Sequence, residues 1–160
     1  MESIPPVSIV LTELSIPHRV FVHEGPVRSL EQAAAERGQQ PSQIVRSILF
    51  RLGAGEYALV LVAGPQQISW KALRQHFGRS RLTMADRDDV QSITGYPIGA
   101  VAPFGIPREL PVLVDKSVLA QAEVSMGSGV RGTGIILQRA DLMRGLGEVP
   151  VGEFCSAGTG

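Results

Sequence analysis

The segment EYALVLVAG, residues 56–64, constrains the fold more than any other part of the chain, because it is apolar on both faces of a strand. A strand of this kind belongs in the middle of a sheet, or in a barrel wall that helices cover. The segment IVRSILFRL, residues 44–52, precedes it, and a glycine-bearing turn at Gly53–Gly55 separates the two. This arrangement predicts an antiparallel hairpin whose second strand lies inside a sheet.

Arg46 is the unexpected residue of the first strand. Alternation places it on the same face as Ile48 and Phe50, which is the more apolar face. A guanidinium stays charged in a protein, so a buried arginine needs an anion, carbonyl oxygens or a wet cavity. Two hypotheses remain open: Arg46 is a structural charge paired inside the fold, or it lines a pocket that receives an anion or a carbonyl group.

The other segments intersperse helices and strands without the regular alternation of a doubly wound fold. Helices are predicted over residues 5–15, 29–38, 69–78, 86–95 and 139–147, with Ser29, Ser69 and Asp86 as N-caps. Further strands are predicted over residues 18–24, 111–115, 123–127 and 134–138. The predicted fold class is α+β, with a mixed, partly barrel-like sheet flanked by helices in a single domain.

Two regions carry no helix or strand pattern. Between Tyr96 and Pro111 lie four prolines and two glycines in sixteen residues, which predicts a long ordered loop. The last ten residues, VGEFCSAGTG, predict a flexible C-terminal tail over residues 151–160. Residues 1–150 are therefore expected to form the domain.

The charge balance and the cysteine content bear on partners and location. Fifteen basic and fifteen acidic residues cancel, so no overall field draws the chain to DNA or to an anionic membrane. A single cysteine, Cys155, fits a reducing compartment. The N-terminal sequence lacks signal-peptide features, and no apolar stretch reaches the roughly 18 residues of a membrane span. These observations predict a cytoplasmic protein that binds a polyanion only through a local patch.

The sequence lacks the motifs of a serine hydrolase and of a metal site. It contains no G-x-S-x-G motif, and its three histidines show neither a nucleophile partner nor metal-ligand spacing. His23 stands at a strand end, where a substrate-binding role and a structural role remain open. Cys155 has no neighbouring base in the sequence and is interpreted as an incidental thiol. No metal and no cofactor are predicted.

A glycine-rich turn, Gly127–Gly132, has the spacing G-x-G-x-x-G and follows a predicted strand. A dinucleotide site requires a helix directly after the glycines, whereas Ile135 and Ile136 predict a strand there. The turn is therefore interpreted as a pocket-lining or hairpin turn whose backbone amides are able to hold an anion or a carbonyl oxygen. A nucleotide-binding role is the weaker alternative.

One basic cluster, KALRQHFGRSR at residues 71–81, is a candidate RNA-binding patch. Lys71 and Arg74 share a helix face, and Arg79 and Arg81 follow just past the helix. Such a set of cations is able to meet two or three phosphates. The alternative is an ordinary solvated face.

In order along the chain, the segments QIVRSILF, GEYALVLVAG, ITGYPIGAVAPFG, LPVLVD and VSMGSGVRG resemble the YbaK-type aminoacyl-tRNA deacylases. These proteins are relatives of the editing domain inserted in bacterial prolyl-tRNA synthetases, and the similarity runs from Pro5 to Gly147. The resemblance implies a single α+β domain that hydrolyses the ester joining a small, wrong amino acid to tRNA. The implied partners are aminoacyl-tRNA and, as an open alternative, an aminoacyl-tRNA synthetase. No metal is implied.

The resemblance also gives Arg46 a context, because members of this family usually carry at this position a lysine that is needed for activity. If the cation only holds the RNA end or polarises the ester carbonyl, arginine keeps the charge and activity survives. If the pocket requires a compact ammonium group, the larger guanidinium crowds the substrate. The chain would then be a catalytically silent module that binds tRNA or a synthetase. Arginine does not serve as a general base, because its pKa lies above about 12.

By the same resemblance, hydrolysis proceeds through a bound water, and negative charge builds on the former carbonyl oxygen. Arg46 and the backbone amides at Gly99 and Gly129 are the catalytic candidates that would stabilise this charge. Pro103 would stiffen the loop around the aminoacyl group. Substrate hydroxyl groups are able to activate the water, which would explain the missing protein base.

Two further residues match family positions at the substrate site. Asp115 either pairs with Arg46 or caps the turn that follows it. Ser128 either hydrogen-bonds the terminal adenosine or amino acid, or bonds its own backbone within the turn. Both alternatives remain open for each residue.

Overall fold

This computed structural model describes residues 4–156 of the chain. That part contains five α-helices and eight β-strands. The helices are α1 (Pro6–Glu13), α2 (Leu30–Glu36), α3 (Trp70–Phe77), α4 (Arg87–Thr94) and α5 (Arg139–Leu146). The strands are β1 (Arg19–Val22), β2 (Val45–Gly53), β3 (Glu56–Ala63), β4 (Thr83–Met84), β5 (Val112–Asp115), β6 (Glu123–Gly127), β7 (Thr133–Gln138) and β8 (Val151–Gly152). Short 3-10 helices occupy Pro41–Gln43 and Lys116–Leu119.

The larger sheet is built around the predicted hairpin, in the order β4-β2-β3-β5-β8. Strands β2 and β3 are antiparallel, whereas β5 runs parallel to both β3 and β8, so the sheet is mixed. Every residue of β3 from Tyr57 to Ala63 is buried, as expected for an apolar strand inside a sheet. The α+β class and the central position of this strand are confirmed.

The smaller sheet is antiparallel, in the order β1-β7-β6. A single parallel bridge between Ile44 and Ser125 joins it to the larger sheet at the start of β2. The two sheets therefore curl toward each other, and the described strands form no closed barrel. The main apolar core lies between them and includes Leu59, Leu61 and Met126.

A second apolar core covers the opposite face of the larger sheet, where Phe50 and Val62 pack with Leu73 of α3. The third packing contact lies under α2, whose Ala33 and Ala34 cover Ile44. Both faces of β3 are thus protected from water. Among residues 4–156, no helix combines the length and the apolar character that a membrane span requires.

The predicted N-caps form as expected. The side chains of Ser29, Ser69 and Asp86 accept hydrogen bonds from the third backbone amide that follows each of them. A cap of this kind stabilises a helix by about 1 kcal/mol. Gly78 and Gly95 adopt left-handed conformations at the ends of α3 and α4, which glycine tolerates without strain.

The proline-rich segment is an ordered loop, as predicted. Its backbone is held by Tyr96, whose buried hydroxyl donates to the carbonyl oxygen of Phe104 at 2.6 Å. Ala100, Val101 and Ala102 are buried in this loop. The loop is therefore packed against the body of the fold.

The C-terminal segment differs from the predicted flexible tail as far as it is described. Val151 and Gly152 pair with β5, and the Phe154 side chain is only 5% exposed within the second core. The Phe154 carbonyl also accepts the amide of Ser69 at 2.8 Å. One aromatic residue among glycine and serine produces no periodic pattern, so this packing has no signal in the local sequence. Residues 157–160 lie outside the described part.

Replacement of Phe154 by alanine should lower the free energy of unfolding by about 3 to 5 kcal/mol, because it empties a buried position in the second core. Urea denaturation at equilibrium measures this change. Val151→Ala is the matched control, since Val151 is 45% exposed, and it should change stability by about 0.5 kcal/mol or less. Equal, small effects of both substitutions would mean that the segment is a tail after all.

Candidate functional site

A cavity of about 980 Å³ opens where the two sheets meet. Its walls come from α2, the start of β2, the loop at Ile98–Val101, and the turn at Arg131–Thr133. This volume lies within the range of sites for small molecules and cofactors. Its place is set by the bridge between Ile44 and Ser125, beyond which the two sheets separate.

The inner wall of the cavity is apolar. Val45 and Leu49 of β2 contribute to it, together with Val90, Val101 and Met126, and all five residues are buried. They also belong to the main core, so the cavity is an extension of the space between the sheets. Ser47 lies between Val45 and Leu49 on the same face of β2, and its buried hydroxyl has no hydrogen-bond partner among residues 4–156.

Arg46 is among the lining residues, but its guanidinium is engaged outside the apolar wall. It pairs in register with Val62, so its side chain points to the face of the second core. Its Nε donates to the carbonyl oxygen of Gly64 at 2.8 Å, and its Nη2 donates to that of Gln66. No carboxylate among residues 4–156 forms an ion pair with it. Carbonyl oxygens therefore satisfy this half-buried charge, and partial burial lowers the pKa of the guanidinium.

Asp115 caps the turn that follows it and does not pair with Arg46. Its carboxylate accepts the amides of Ser117 at 2.9 Å and Phe154 at 2.7 Å, and the residue is 2% exposed. Burial by itself raises the pKa of Asp115, but hydrogen bonds from Ser117, Phe154 and Cys155 outweigh it and lower the pKa below its ordinary value. Burial and the Asp115 charge raise the pKa of the Cys155 thiol to about 12. Neither residue lines the cavity, and the raised pKa of Cys155 disfavours its reactive thiolate form.

Ser128 and Gly129 hold the glycine-rich turn against the proline-rich loop. The Ser128 hydroxyl accepts a hydrogen bond from the amide of Val130 at 3.1 Å and also contacts the Thr133 hydroxyl. Of the two predicted roles of Ser128, the structure thus shows hydrogen bonding within the turn. The Gly129 amide donates to the carbonyl oxygen of Ala100 at 2.9 Å, so it is not free for a ligand. Neither residue lines the cavity.

Gly99 does line the cavity, and it is exposed there. Its φ of 90° lies in the left-handed region, where glycine is favoured. Its amide donates no hydrogen bond to any of residues 4–156. Of the two predicted amide donors, only the one at Gly99 is thus available. Pro103 lies farther along the same loop, is half-buried and does not reach the cavity.

His23 lines the cavity, but both of its ring nitrogens are occupied. Nδ1 lies 2.7 Å from a carboxylate oxygen of Glu36, and Nε2 accepts the Nε–H of Arg37 at 3.1 Å. This pattern requires a neutral imidazole that donates through Nδ1. Hydrogen bonds from Gln32 and His23 lower the pKa of Glu36. His23 therefore orients its neighbours and is not a free general base.

Among the polar lining residues that sequence reasoning missed are Arg37, Ser47 and Arg131. Arg37 stands one residue before the glycine that ends a predicted helix, a position typical of a solvated side chain. Arg131 stands in a turn, where an arginine is equally ordinary. No signal in a single sequence distinguishes these residues from surface ones, because their role depends on which elements meet in space.

The charges at the cavity favour an anionic or carbonyl-containing ligand. Arg37, Arg46 and Arg131 line it, against a single acidic lining residue, Glu24. Among residues 4–156, no group of histidine, cysteine and carboxylate side chains is arranged to hold a metal ion. The site offers positive charge, a free amide and an apolar wall, which together suit stabilisation of negative charge on a substrate.

The predicted RNA-binding cluster does not converge on the cavity. Lys71 and Arg74 are exposed on α3, which packs through Leu73 against the opposite face of the larger sheet. Arg79 is paired with Glu56 at 2.5 Å. Arg81 is exposed beyond the helix. The cluster and the cavity are therefore separate features.

The sequence is similar to those of tRNA-editing proteins. A family profile described as "Aminoacyl-tRNA editing domain" matches residues 24–144. The chain is 26% identical over 139 residues to the Multifunctional Ser/Thr-tRNA deacylase ProXp-y of Escherichia coli strain K12, with 84% of this chain and 83% of the relative covered. It is 32% identical over 100 residues to a proline–tRNA ligase of Thermosipho melanesiensis, with 62% of this chain covered. The chain spans only 17 to 19% of the length of three such ligases.

Solved structures agree with this similarity. The crystal structure of a candidate trans-editing enzyme for prolyl-tRNA synthetase matches with a TM-score of 0.86 and 25% identity, over 95% of this chain and 96% of that one. A second crystal structure, of the hypothetical protein APE2540, has the same fold, with a TM-score of 0.85 and 24% identity over 94% of this chain and 99% of that one.

Replacement of Asp115 by asparagine should destabilise the protein by about 1 to 2 kcal/mol at pH 7, because the buried amides of Ser117 and Phe154 lose a charged acceptor. The folded-state pKa of Asp115 is lowered, so its stabilisation is present above the unfolded-state pKa near 4 and is lost as the pH falls below it. Urea denaturation between pH 3 and pH 7 should therefore show a difference that shrinks on acidification. Glu109→Gln, at an exposed loop position, is the matched control. A difference that is constant with pH would contradict this account.

Proposed function

Because this chain belongs to the aminoacyl-tRNA editing domain family, we propose that it hydrolyses the ester that joins a small, wrongly attached amino acid to tRNA. In this proposal the chain acts in trans, on aminoacyl-tRNA released from a synthetase. The single observation that supports it is the cavity of about 980 Å³, which combines an apolar wall with three arginines and lies largely within the matched residues 24–144.

The cavity suits the end of an aminoacyl-tRNA in both size and chemistry. Its apolar wall at Val45, Leu49 and Met126 is suited to a small side chain, and its volume leaves room for the attached ribose. The arginines offset the negative charge of the RNA end. The free amide at Gly99 belongs to a residue that lines this space, in a loop to which the buried Tyr96 is hydrogen-bonded.

The proposed chemistry needs no protein nucleophile. Water attacks the ester carbonyl, and the Gly99 amide stabilises the negative charge that develops on the oxygen. His23 is saturated by Glu36 and Arg37, so the neighbouring hydroxyl of the substrate ribose acts as a relay. It accepts a proton from the attacking water and gives its own proton to the ester oxygen of the ribose, which leaves as a hydroxyl group when the bond to the acyl carbon breaks. Arg46 contributes positive charge beside the cavity and anchors the backbone at Gly64 and Gln66.

An aminoacyl-tRNA synthetase is the protein partner that we propose. The proline–tRNA ligases similar to this chain are several times its length, and the matched part is less than a fifth of each. A separate chain with the matched fold would have to meet the charged tRNA before it enters translation. Association with a synthetase places the editing cavity next to the source of the error.

Purified protein should release free amino acid from at least one aminoacyl-tRNA in a panel of alanyl, seryl, threonyl, cysteinyl and prolyl esters. Arg46→Ala should lower kcat/KM by about 100-fold, because the substitution removes a cation next to the cavity and frees the segment at Gly64–Gln66. Arg51→Ala, at an exposed position of the same strand, is the matched control and should leave the rate unchanged. A panel without any release would refute the enzyme.

The second candidate function is a silent module that binds tRNA or a synthetase, and the bonds of Arg46 to two backbone carbonyls favour it over a free catalytic cation. The Arg46→Lys variant separates the two functions. If the natural protein hydrolyses an ester and the lysine variant keeps most of that rate, the enzyme is supported. Activity in the lysine variant alone would identify the natural chain as the silent module.

The basic cluster is proposed to contact tRNA phosphates through its exposed members, Lys71, Arg74 and Arg81. Neutralising Lys71 and Arg74 together, both to glutamine, should reduce the slope of log affinity against log salt by about 0.9 for each duplex phosphate contact that is lost. Filter binding of uncharged tRNA at several salt concentrations measures the slope. Arg79→Gln serves as the comparison, because this side chain is already paired with Glu56. An unchanged slope in the double variant would assign the cluster to ordinary solvation.

A further inference from the structure

We infer that Arg37 is the anion-binding residue of the cavity, and that its ligand is the phosphate linking the last nucleotide of the tRNA to the rest of the chain. The inference deepens the proposed function and rests on it, because it places the RNA end in this cavity. It assigns a recognition role to a residue that is separate from Arg46.

Arg37 is held rigidly by three contacts. Its Nε donates to His23 Nε2 at 3.1 Å, and its Nη1 donates to the Ser125 hydroxyl at 2.9 Å. Glu36 accepts from His23 Nδ1 at 2.7 Å, which keeps Nε2 of the ring as the acceptor for arginine. The guanidinium lies against Gly134, where an added Cβ would be 2.5 Å from Arg37 Cζ. A glycine on β7 is therefore required for this placement.

The guanidinium keeps unused donors. Nη2 and the second hydrogen of Nη1 have no acceptor among residues 4–156, and no carboxylate there forms an ion pair with Arg37. The residue is half-buried, and burial lowers its pKa because the charged form has lost part of its hydration. A partly dehydrated cation with free donors and a fixed orientation is a preformed anion site.

The sheet register places this cation beside the loop that carries Gly99. Gly134 pairs directly with Gly127, and paired residues project to the same face about 5 Å apart. A Cβ at Gly127 would collide with the carbonyl oxygen of Val101, so the proline-rich loop lies over that position. Arg37 and the loop that carries Gly99 are thus neighbours on one wall, and both line the cavity.

A phosphate fits this site better than a carboxylate side chain of the amino acid does. The proposed substrates are small amino acids, and the internucleotide phosphate is the anion closest to their ester in the RNA end. A planar guanidinium with two parallel donors matches phosphate oxygens in a bidentate geometry. Arg131, whose Nε donates to the Ile98 carbonyl at 3.1 Å, is a further cation that lines the cavity.

A chemical double-mutant cycle tests the assignment. The probes are two uncharged RNA minihelices ending in CCA, one natural and one with a neutral methylphosphonate as its last internucleotide linkage. Natural protein should bind the neutral probe about tenfold more weakly, and Arg37→Gln should bind the natural probe about tenfold more weakly. The Arg37→Gln variant should then bind the neutral probe about as well as it binds the natural probe. The reason is that the Arg37 cation and the phosphate form a single contact, which the substitution has already removed.

The assignment would be overturned if the two changes lowered the affinity independently. In that case the Arg37→Gln variant would still bind the neutral probe about tenfold more weakly than the natural probe. Arg51→Gln, which removes an exposed arginine from β2, is the matched control and should behave as the natural protein does. Arg37→Lys keeps the charge without the planar fork, and it should recover part of the affinity if the glutamine variant proves unstable. The probes carry no ester, so this binding test is independent of the deacylation panel described above. Coupling between Arg37 and the phosphate, together with no release of amino acid in that panel, would defeat the proposed hydrolysis and leave the phosphate site in place.

Discussion

Burial of β3 on both faces is the constraint on which the rest of the structure depends. A strand with no polar face requires cover on each side, and the chain supplies it by two different means. On one side α3 and Phe154 complete a second core, and on the other the smaller sheet closes over the main core. Among residues 4–156, the one backbone bridge between the two sheets joins Ile44 to Ser125. The cavity opens where the sheets separate beyond this bridge, so its position follows from how the second face is covered.

The electrostatics of the site depend on arginines that are held by neutral partners. Arg46 is bound by backbone carbonyls, and Arg37 by a neutral histidine and a serine hydroxyl. A carboxylate in direct contact with either one would cancel its charge. Neutral acceptors orient each guanidinium without cancelling its charge. Arg37 is thus able to stabilise an oxyanion or a phosphate in the cavity, while Arg46, whose side chain lies on the other face of β2, adds positive charge beside it. This arrangement explains how a chain with no net charge presents a positive site.

Local patterns predicted the elements well, because caps, turns and alternation depend on neighbours in the sequence. Ser29, Ser69 and Asp86 cap helices as expected, and the hairpin has the expected pairing. Side-chain roles at the site were harder to predict. Ser128 and Gly129 stand in the turn that the family resemblance pointed to, yet their polar groups are used within the fold. Arg37 carries no local signal, since its contacts with His23 and Ser125 join elements far apart in the chain.

The amino-acid sequence by itself determined the class of the fold, the central strand, the ordered loop and the resemblance to editing proteins. Each of these follows from periodicity, capping or an ordered set of motifs, which are properties of short segments. Only the tertiary structure decided which polar groups remain free at the cavity. Two outcomes depend on atoms that meet from distant parts of the chain: whether the amide of Gly99 or of Gly129 is available, and whether Arg37 or Arg46 faces the apolar wall. The hydrogen bonds concerned span 14 residues, as between Arg37 and His23, to 88 residues, as between Arg37 and Ser125. Hydrogen bonds of that kind form only after the sheets have packed.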